Sequence, residues 1–344
     1  MKTFKKQMIA KAVGLALTTG ALVTMALPAS ATLLLRSAYQ DAALSIDGFG
    51  GSSGNLSVDT PAGAEVLKAY LYAADVFGGG LANVTLAGNL LTTATGSLLT
   101  PNTNPANTMV WDVTSFMKPL IEGTNGLQNF VISESGNNDG EVLVVVYKHA
   151  STTGGTAIIL DGELALAGDT TNLAFASPYV GGNVIMSLAS SFSHQPTGQV
   201  TTVDVVTSST ASRRLTGCAG GEDDGAAANG SLITVGGIGD STSNPDPNCS
   251  GSSGPFVDDE LYNLALGNIA DATPFLKAGD TSITFNTSNP SFDDNVFFLG
   301  FTSAFTISNV NDEDIVNPAP EPASLALMGL GLAGLGAMRR RKTA

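Results

Sequence analysis

The chain says one thing twice, and that repetition constrains its fold more than any other feature. Trp111-Asp112-Val113-Thr114-Ser115-Phe116-Met117-Lys118 is echoed by Ala270-Asp271-Ala272-Thr273-Pro274-Phe275-Leu276-Lys277, an offset of 159 residues. In each copy the threonine, Thr114 or Thr273, reads as the cap of a single helical turn. Ser115 or Pro274 takes the first helical position, and Gly123 or Gly279 ends the turn. The flanks repeat as well. Runs 129–133 and 282–287 read as strands, followed by the acidic turns Asn137-Asn138-Asp139-Gly140-Glu141 and Asp293-Asp294-Asn295. The apolar strands 142–147 and 296–301 come next. Upstream, 65–74 corresponds to 184–192, and 84–91 to 203–207.

These strands are short, rich in valine and aromatic residues, and separated by glycine, serine, threonine and asparagine, and no long amphipathic helix appears. The chain therefore reads as all-β. A strand, an Asp-x-Thr turn of helix, a Gly/Asn corner and a return strand is similar to a connection in jelly-roll, galactose-binding-like domains. The similarity concerns topology and transfers no sugar-contacting residue. The expectation is two tandem jelly-roll-like antiparallel β-sandwiches, 32–150 and 151–310, joined near 150–155. Apolar residues such as Val144, Val146, Phe298 and Leu299 should fill the cores between sheets. The second carries an insertion at about 208–254, glycine- and acid-rich, with a strand-like run at 232–235. It is the first place to look for a binding surface.

Both ends read as addresses. Lys2, Lys5, Lys6 and Lys11 precede an apolar stretch, and Ala29-Ser30-Ala31 has the small-residue pattern of a signal cleavage site, so 1–31 reads as a signal peptide handled by the Sec translocon. At the other end, a linker at 311–319 leads to Pro320-Glu321-Pro322, an apolar segment 323–338, and Arg339, Arg340, Arg341 and Lys342. That segment, 16 residues long, would reach about 24 Å as a transmembrane helix, short of a hydrocarbon core of roughly 30 Å, and makes a marginal anchor. Its cations favour a cytoplasmic tail, with the body exported.

The tripeptide, short helix and arginine cluster over 320–344 resemble the PEP-CTERM sorting signal of Gram-negative bacteria. The resemblance implies an exosortase as partner, a membrane protease that reads Pro320-Glu321-Pro322. It further implies a chain held at the inner membrane before processing and released to the cell surface or matrix, commonly beside exopolysaccharide. It covers under a tenth of the chain and assigns the body no activity.

Between its two terminal clusters of cations the chain holds seven further cations against thirty acidic residues, a formal charge of −23. Such a surface repels nucleic acid and anionic lipid and attracts divalent cations. Cys218 and Cys249 are the only cysteines, and in an oxidising compartment pairing is their default. A disulfide closing that loop would contribute roughly 3.5 to 4 kcal/mol in the chain-entropy model.

Candidate chemistry is confined to acidic loops. Asp258, Asp259, Asp293 and Asp294 each sit just before an ordered segment and offer the oxygen ligands that calcium takes, although no EF-hand pattern is present. Glu222-Asp223-Asp224 and Asp312-Glu313-Asp314 read as solvated turns. His149 and His194 are the only histidines, both placed as turn residues, and no nucleophile elbow or zinc-protease helix accompanies them. Trp111, Tyr70, Tyr72, Tyr179 and Tyr262 suit a core more than a sugar-stacking platform. Asn-x-Ser/Thr triplets occur at Asn55, Asn83, Asn229 and Asn286. The leading expectation is a non-enzymatic, exported surface or matrix protein. A calcium-dependent carbohydrate-binding module is the second reading, and a glycoside hydrolase the third.

Overall fold

A computed structural model describes residues 33–315, apart from 76–79, 101–106, 125, 137, 166, 192–200, 220–232, 245, 249–259, 291–294 and 312. The expected signal peptide, the segment 320–344 and most of the expected linker lie outside the described residues, and among the described residues no helix is long and apolar enough to cross a membrane.

The first repeat contributes β2 (Ala42–Phe49), β3 (Ser53–Thr60), β4 (Glu65–Asp75), β5 (Val84–Leu86), β6 (Asn89–Leu91), β7 (Ser97–Leu98), β8 (Asn107–Asp112), helix α1 (Thr114–Ile121), β9 (Gly126–Glu134) and β10 (Gly140–Lys148). They form two antiparallel sheets, ordered β2-β10-β4-β8-β7 and β3-β9-β5-β6. After a 3-10 turn at Ala150–Thr152 comes the second repeat: β11 (Thr156–Asp161), β12 (Thr170–Phe175), β13 (Val184–Ser191), β14 (Thr201–Thr207), β15 (Arg213–Ala219), β16 (Ile233–Val235), β17 (Leu261–Asn263), β18 (Ser282–Ser288) and β19 (Asn295–Ser303). In its sheets β11-β19-β13 is flanked by β16 and β17, and β15-β14-β18-β12 continues into β20 (Ile307–Val310) and β21 (Glu313–Asp314). Omitting the added strands, the order β2-β10-β4-β8 is matched by β11-β19-β13-β17, and β3-β9-β5-β6 by β12-β18-β14-β15. Eight strands wound into two four-stranded sheets in this way make a jelly roll. The expected all-β, doubled fold is present.

Repetition reaches the Asp-x-Thr corner, with a difference. Asp112 Oδ1 accepts the Thr114 N–H at 3.0 Å, and Asp271 Oδ1 accepts the Thr273 N–H at 2.9 Å. The aspartate, not the threonine, closes each turn, which corrects the reading of Thr114 and Thr273 as caps. Thr114 instead turns its hydroxyl to β4, accepting the Ala69 N–H at 2.9 Å. Only the first copy goes on to a helix, because in the second the amides of Phe275 and Leu276 bond back to the carbonyls of Leu266 and Leu264, both at 3.0 Å. Gly123 and Gly279 follow at φ of +84° and +97°, a conformation that favours glycine.

Layering explains the continuous apolar strands. In β10, Leu143 and Val145 face the core of the first jelly roll with Leu56, Leu71 and Trp111, while Val142, Val144 and Val146 face the opposite way. That opposite face packs on β11, β13, β16 and β19 through Ile159, Ala189, Val235, Phe297 and Phe298. A third core, with Leu188, Phe285, Leu299 and Phe301, fills the second jelly roll. The four sheets thus stack with three apolar layers between them, and the middle layer is a seam between the repeats. Strands buried on both faces read as unbroken hydrophobic runs.

Two irregularities shape the seam. Ala189 pairs with Phe298 and Ser190 with Val296, so Phe297 is the extra residue of a bulge and points to the same side as Phe298. Strand β1 (Leu34–Gln40), near the start of the chain, hydrogen-bonds not to the first repeat but to β11 of the second.

Candidate functional site

The described residues place the predicted sites unevenly. Asp258, Asp259, Asp293 and Asp294 lie outside them, as do Ala29, Ala31, Cys249, His194, Pro320, Glu321, Pro322, Arg339, Arg340 and Arg341. Cys218 falls on β15, but its partner in the expected disulfide is not among the described residues. Among those residues no three His, Cys, Asp or Glu side chains converge to hold a metal ion. The aromatic residues weighed as a stacking platform are core: Trp111, Tyr70, Tyr72, Tyr179 and Tyr262 are all buried, and Trp111 Nε1 donates to the Thr92 carbonyl at 2.9 Å. His149 closes the 3-10 turn, its Nδ1 accepting the Ser151 N–H at 3.1 Å.

What the structure offers instead is a cleft along the seam. Two adjoining hollows of about 270 and 290 Å³ share Tyr147, Ile185 and Thr302. They arise where β2 crosses β19, held by the Leu44 N–H on Thr302 Oγ1 at 3.1 Å and the Ile238 N–H on the Ile46 carbonyl at 2.9 Å. Glycine permits this close crossing: a Cβ on Gly237 would stand 2.4 Å from the Ile46 carbonyl oxygen. Ser45 Oγ accepts the Asp59 N–H at 2.9 Å, which fixes a hydroxyl and a carboxylate at one mouth. Burial, and then the charge of Asp59, raise the Tyr147 phenol above its ordinary pKa and keep it a neutral donor. Hydroxyls, a half-buried tyrosine and one carboxylate suit a neutral polyhydroxy or cationic ligand and disfavour an anion. Sequence reasoning missed Tyr147, reading it only as the end of a strand. The signal is structural, a register shift between Val146 and Tyr147 against β4.

A second polar feature closes one end of the first jelly roll. Glu141 is fully buried, and its carboxyl meets that of Glu134. Asn138 spans the two, donating its N–H to Glu134 Oε2 at 2.8 Å and its Nδ2 to Glu141 Oε1 at 3.0 Å, while its Oδ1 accepts the Ala82 N–H at 2.8 Å. Burial pushes the Glu141 pKa up to about 8 against the hydrogen bond from Asn138, with Glu134 adding to the rise. Glu134 is raised too, first by burial. The neighbouring Asp139 accepts Ser191 Oγ across the seam at 2.5 Å, and Asn295 Nδ2 donates to Thr108 Oγ1 at 3.1 Å beside it in the pairing. Glu141 is closed to solvent, while Glu134 is half-buried beside it.

Comparison with known proteins adds one specific match. Residues 318–342 fit the PEP-CTERM protein-sorting motif. That motif implies an exosortase-targeted protein, anchored in the membrane and then exported. No curated protein matches the chain. Among solved structures, the major capsid protein P2 from bacteriophage PM2 is 12% identical over 77% of this chain and 98% of its own, with a TM-score of 0.19. The STIV MCP is 9% identical over 78% and 96%, with a TM-score of 0.18. The fold assignment rests on strand order, not on these likenesses.

Proposed function

We propose that the chain is a non-enzymatic, exported surface or matrix protein whose stacked jelly rolls serve as a folded module outside the inner membrane. The sorting motif at 318–342 carries this reading, because it supplies a destination. Fractionation of cells expressing the tagged chain tests it: the body should appear at the surface or in the matrix, and removal of 318–344 should abolish that. Retention of the intact chain at the inner membrane, or turnover in a broad hydrolytic screen, would defeat the proposal.

The seam cleft favours a second reading, binding of carbohydrate from the exopolysaccharide around the cell. Neutral or amino sugars fit the carboxylate and tyrosine there, and an anionic polymer does not. Calcium dependence would rest on Asp258, Asp259, Asp293 and Asp294. A glycan array should then show binding that Tyr147→Ala abolishes and Trp111→Phe leaves intact. Binding untouched by Tyr147→Ala would remove the cleft from consideration.

A further inference from the structure

The carboxyl pair at the end of the first jelly roll has no place in the reading above, yet its surroundings are unusually restrictive. Glu141 stands on β10 between Phe49 of β2 and Ala73 of β4, neither of which titrates. The charged groups that face the pair are Asp75, at the end of β4, and Asp139, in the β9–β10 turn, and both raise the pKa of Glu134. From the second jelly roll the turn meets Ser191, a neutral group. No salt bridge among the described residues includes Glu134 or Glu141.

Two ionised carboxylates in contact, one buried and one half-buried, repel strongly, and neither has a counter-ion among the described residues to offset its desolvation. Hydrogen bonding shows the same deficit in another form. Oε1 of Glu141 takes the Asn138 amide, but Oε2 is buried without a donor unless the pair itself carries a proton. One proton between the two carboxyls removes both problems, since it cancels a charge and supplies the missing donor.

We propose that Glu134 and Glu141 share a proton that latches the β9–β10 turn, and that its loss to solvent frees the grip of that turn on the second jelly roll. The mechanical link is short. Asn138 holds both carboxyls, and the next residue, Asp139, bonds to Ser191 across the seam and donates its N–H to the Ala74 carbonyl at 2.7 Å. Pushing the carboxylates apart pulls on Asn138 and hence on Asp139. The folded pair has the raised pKa, so the latch is closed at low pH and opens as pH rises toward about 8.

Hydrogen exchange on the full-length protein tests this through the peptide covering residues 135–141. Between pH 6 and 8 its protection, corrected for intrinsic exchange, should fall ten- to a hundredfold and then level off, whereas β19 stays protected. Glu141→Gln, which keeps an acceptor for Asn138 and cannot ionise, should flatten the profile. Should that variant not fold, Glu134→Gln makes the same test. A flat profile in the wild-type protein, or an unchanged slope in a folded variant, overturns the proposal. Restoration of protection at pH 8 by millimolar calcium would overturn it too, by showing that the pair takes a metal in place of a proton.

Discussion

Phe298 and Gly300 offer a quantitative test of the claim that the seam is a true core. Phe298 is fully buried, its ring centroid 5.5 Å from that of Tyr72 on the opposite repeat. Phe298→Ala loses about 2 kcal/mol of transfer free energy, and a ring-sized void of about 100 Å³ adds about 2.4 kcal/mol. The expected cost is therefore about 4 kcal/mol. Gly300→Ala acts in the opposite sense, by overfilling. A Cβ there would stand 2.8 Å from Phe298 Cζ and 3.0 Å from both Ile46 Cδ1 and Leu44 Cδ1, so it should cost about 1 to 3 kcal/mol. Combined, the two must not add. Once the ring is gone the new methyl enters vacated space, and the double variant should be at least about 1 kcal/mol more stable than the sum of the singles predicts. Urea denaturation gives the numbers, followed both by far-UV circular dichroism and by the fluorescence of the one tryptophan, Trp111, which lies in the first core. If the seam fuses the repeats, Phe298→Ala on β19 shifts the Trp111 transition by as much as the global one. Additivity within about 0.5 kcal/mol, or a Trp111 transition that does not move, would refute the reasoning.

Other outcomes follow from single contacts. Tyr72→Phe keeps the rings packed but removes the hydrogen bond from its hydroxyl to Asp161 Oδ2, 2.9 Å long, and should lower stability by about 1.5 to 3 kcal/mol in the same denaturation assay. Asp280 is buried, which alone would raise its pKa, yet hydrogen bonds from Ser209, the Lys277 N–H and Ser208 hold it below the ordinary carboxylate value. Its stabilisation is present at neutral pH and lost as pH falls through the lowered pKa, so Asp280→Asn should flatten the loss of thermal stability below pH 4. Replacing Pro320, Glu321 and Pro322 by alanine should leave the tail uncleaved and the chain in the inner-membrane fraction, as read by immunoblot of separated membranes.

Much of the framework was legible in the sequence because strand periodicity and turn chemistry are local. The run 65–74 became β4, and 129–133 and 282–287 fell within β9 and β18. The paired Asp-x-Thr corners marked the duplication correctly, even though the chemistry of the cap belonged to Asp112 and Asp271. What escaped were long-range facts. Unbroken apolarity at 142–146 signals burial on both faces but does not name the partner sheet, and nothing local to Phe297 announces a bulge. The run 137–141 reads in the sequence as no more than an acidic turn between two strands. Instead the fold buries Asp139 and Glu141 and brings in Glu134, an encounter set by the closure of β9 on β10. Tyr147 was hidden for a related reason, since a cleft between repeats exists only once they have been stacked.

The course of β1 has a consequence for how such a molecule can be assembled. Its hydrogen-bonding partner, β11, lies more than a hundred residues further on, and β11 itself is completed by β19, which ends at Ser303. A chain threaded outward from its amino terminus would hold its opening strand unmatched until about half of the body had crossed, and the sheet it joins incomplete until β19 followed. Closure of the inner sheet would then coincide with arrival of the sorting segment at 318–342, so the address comes up for reading only as the fold becomes complete. Severing the molecule between the repeats would strand that first segment without its sheet, which makes the halves inseparable despite their common pattern.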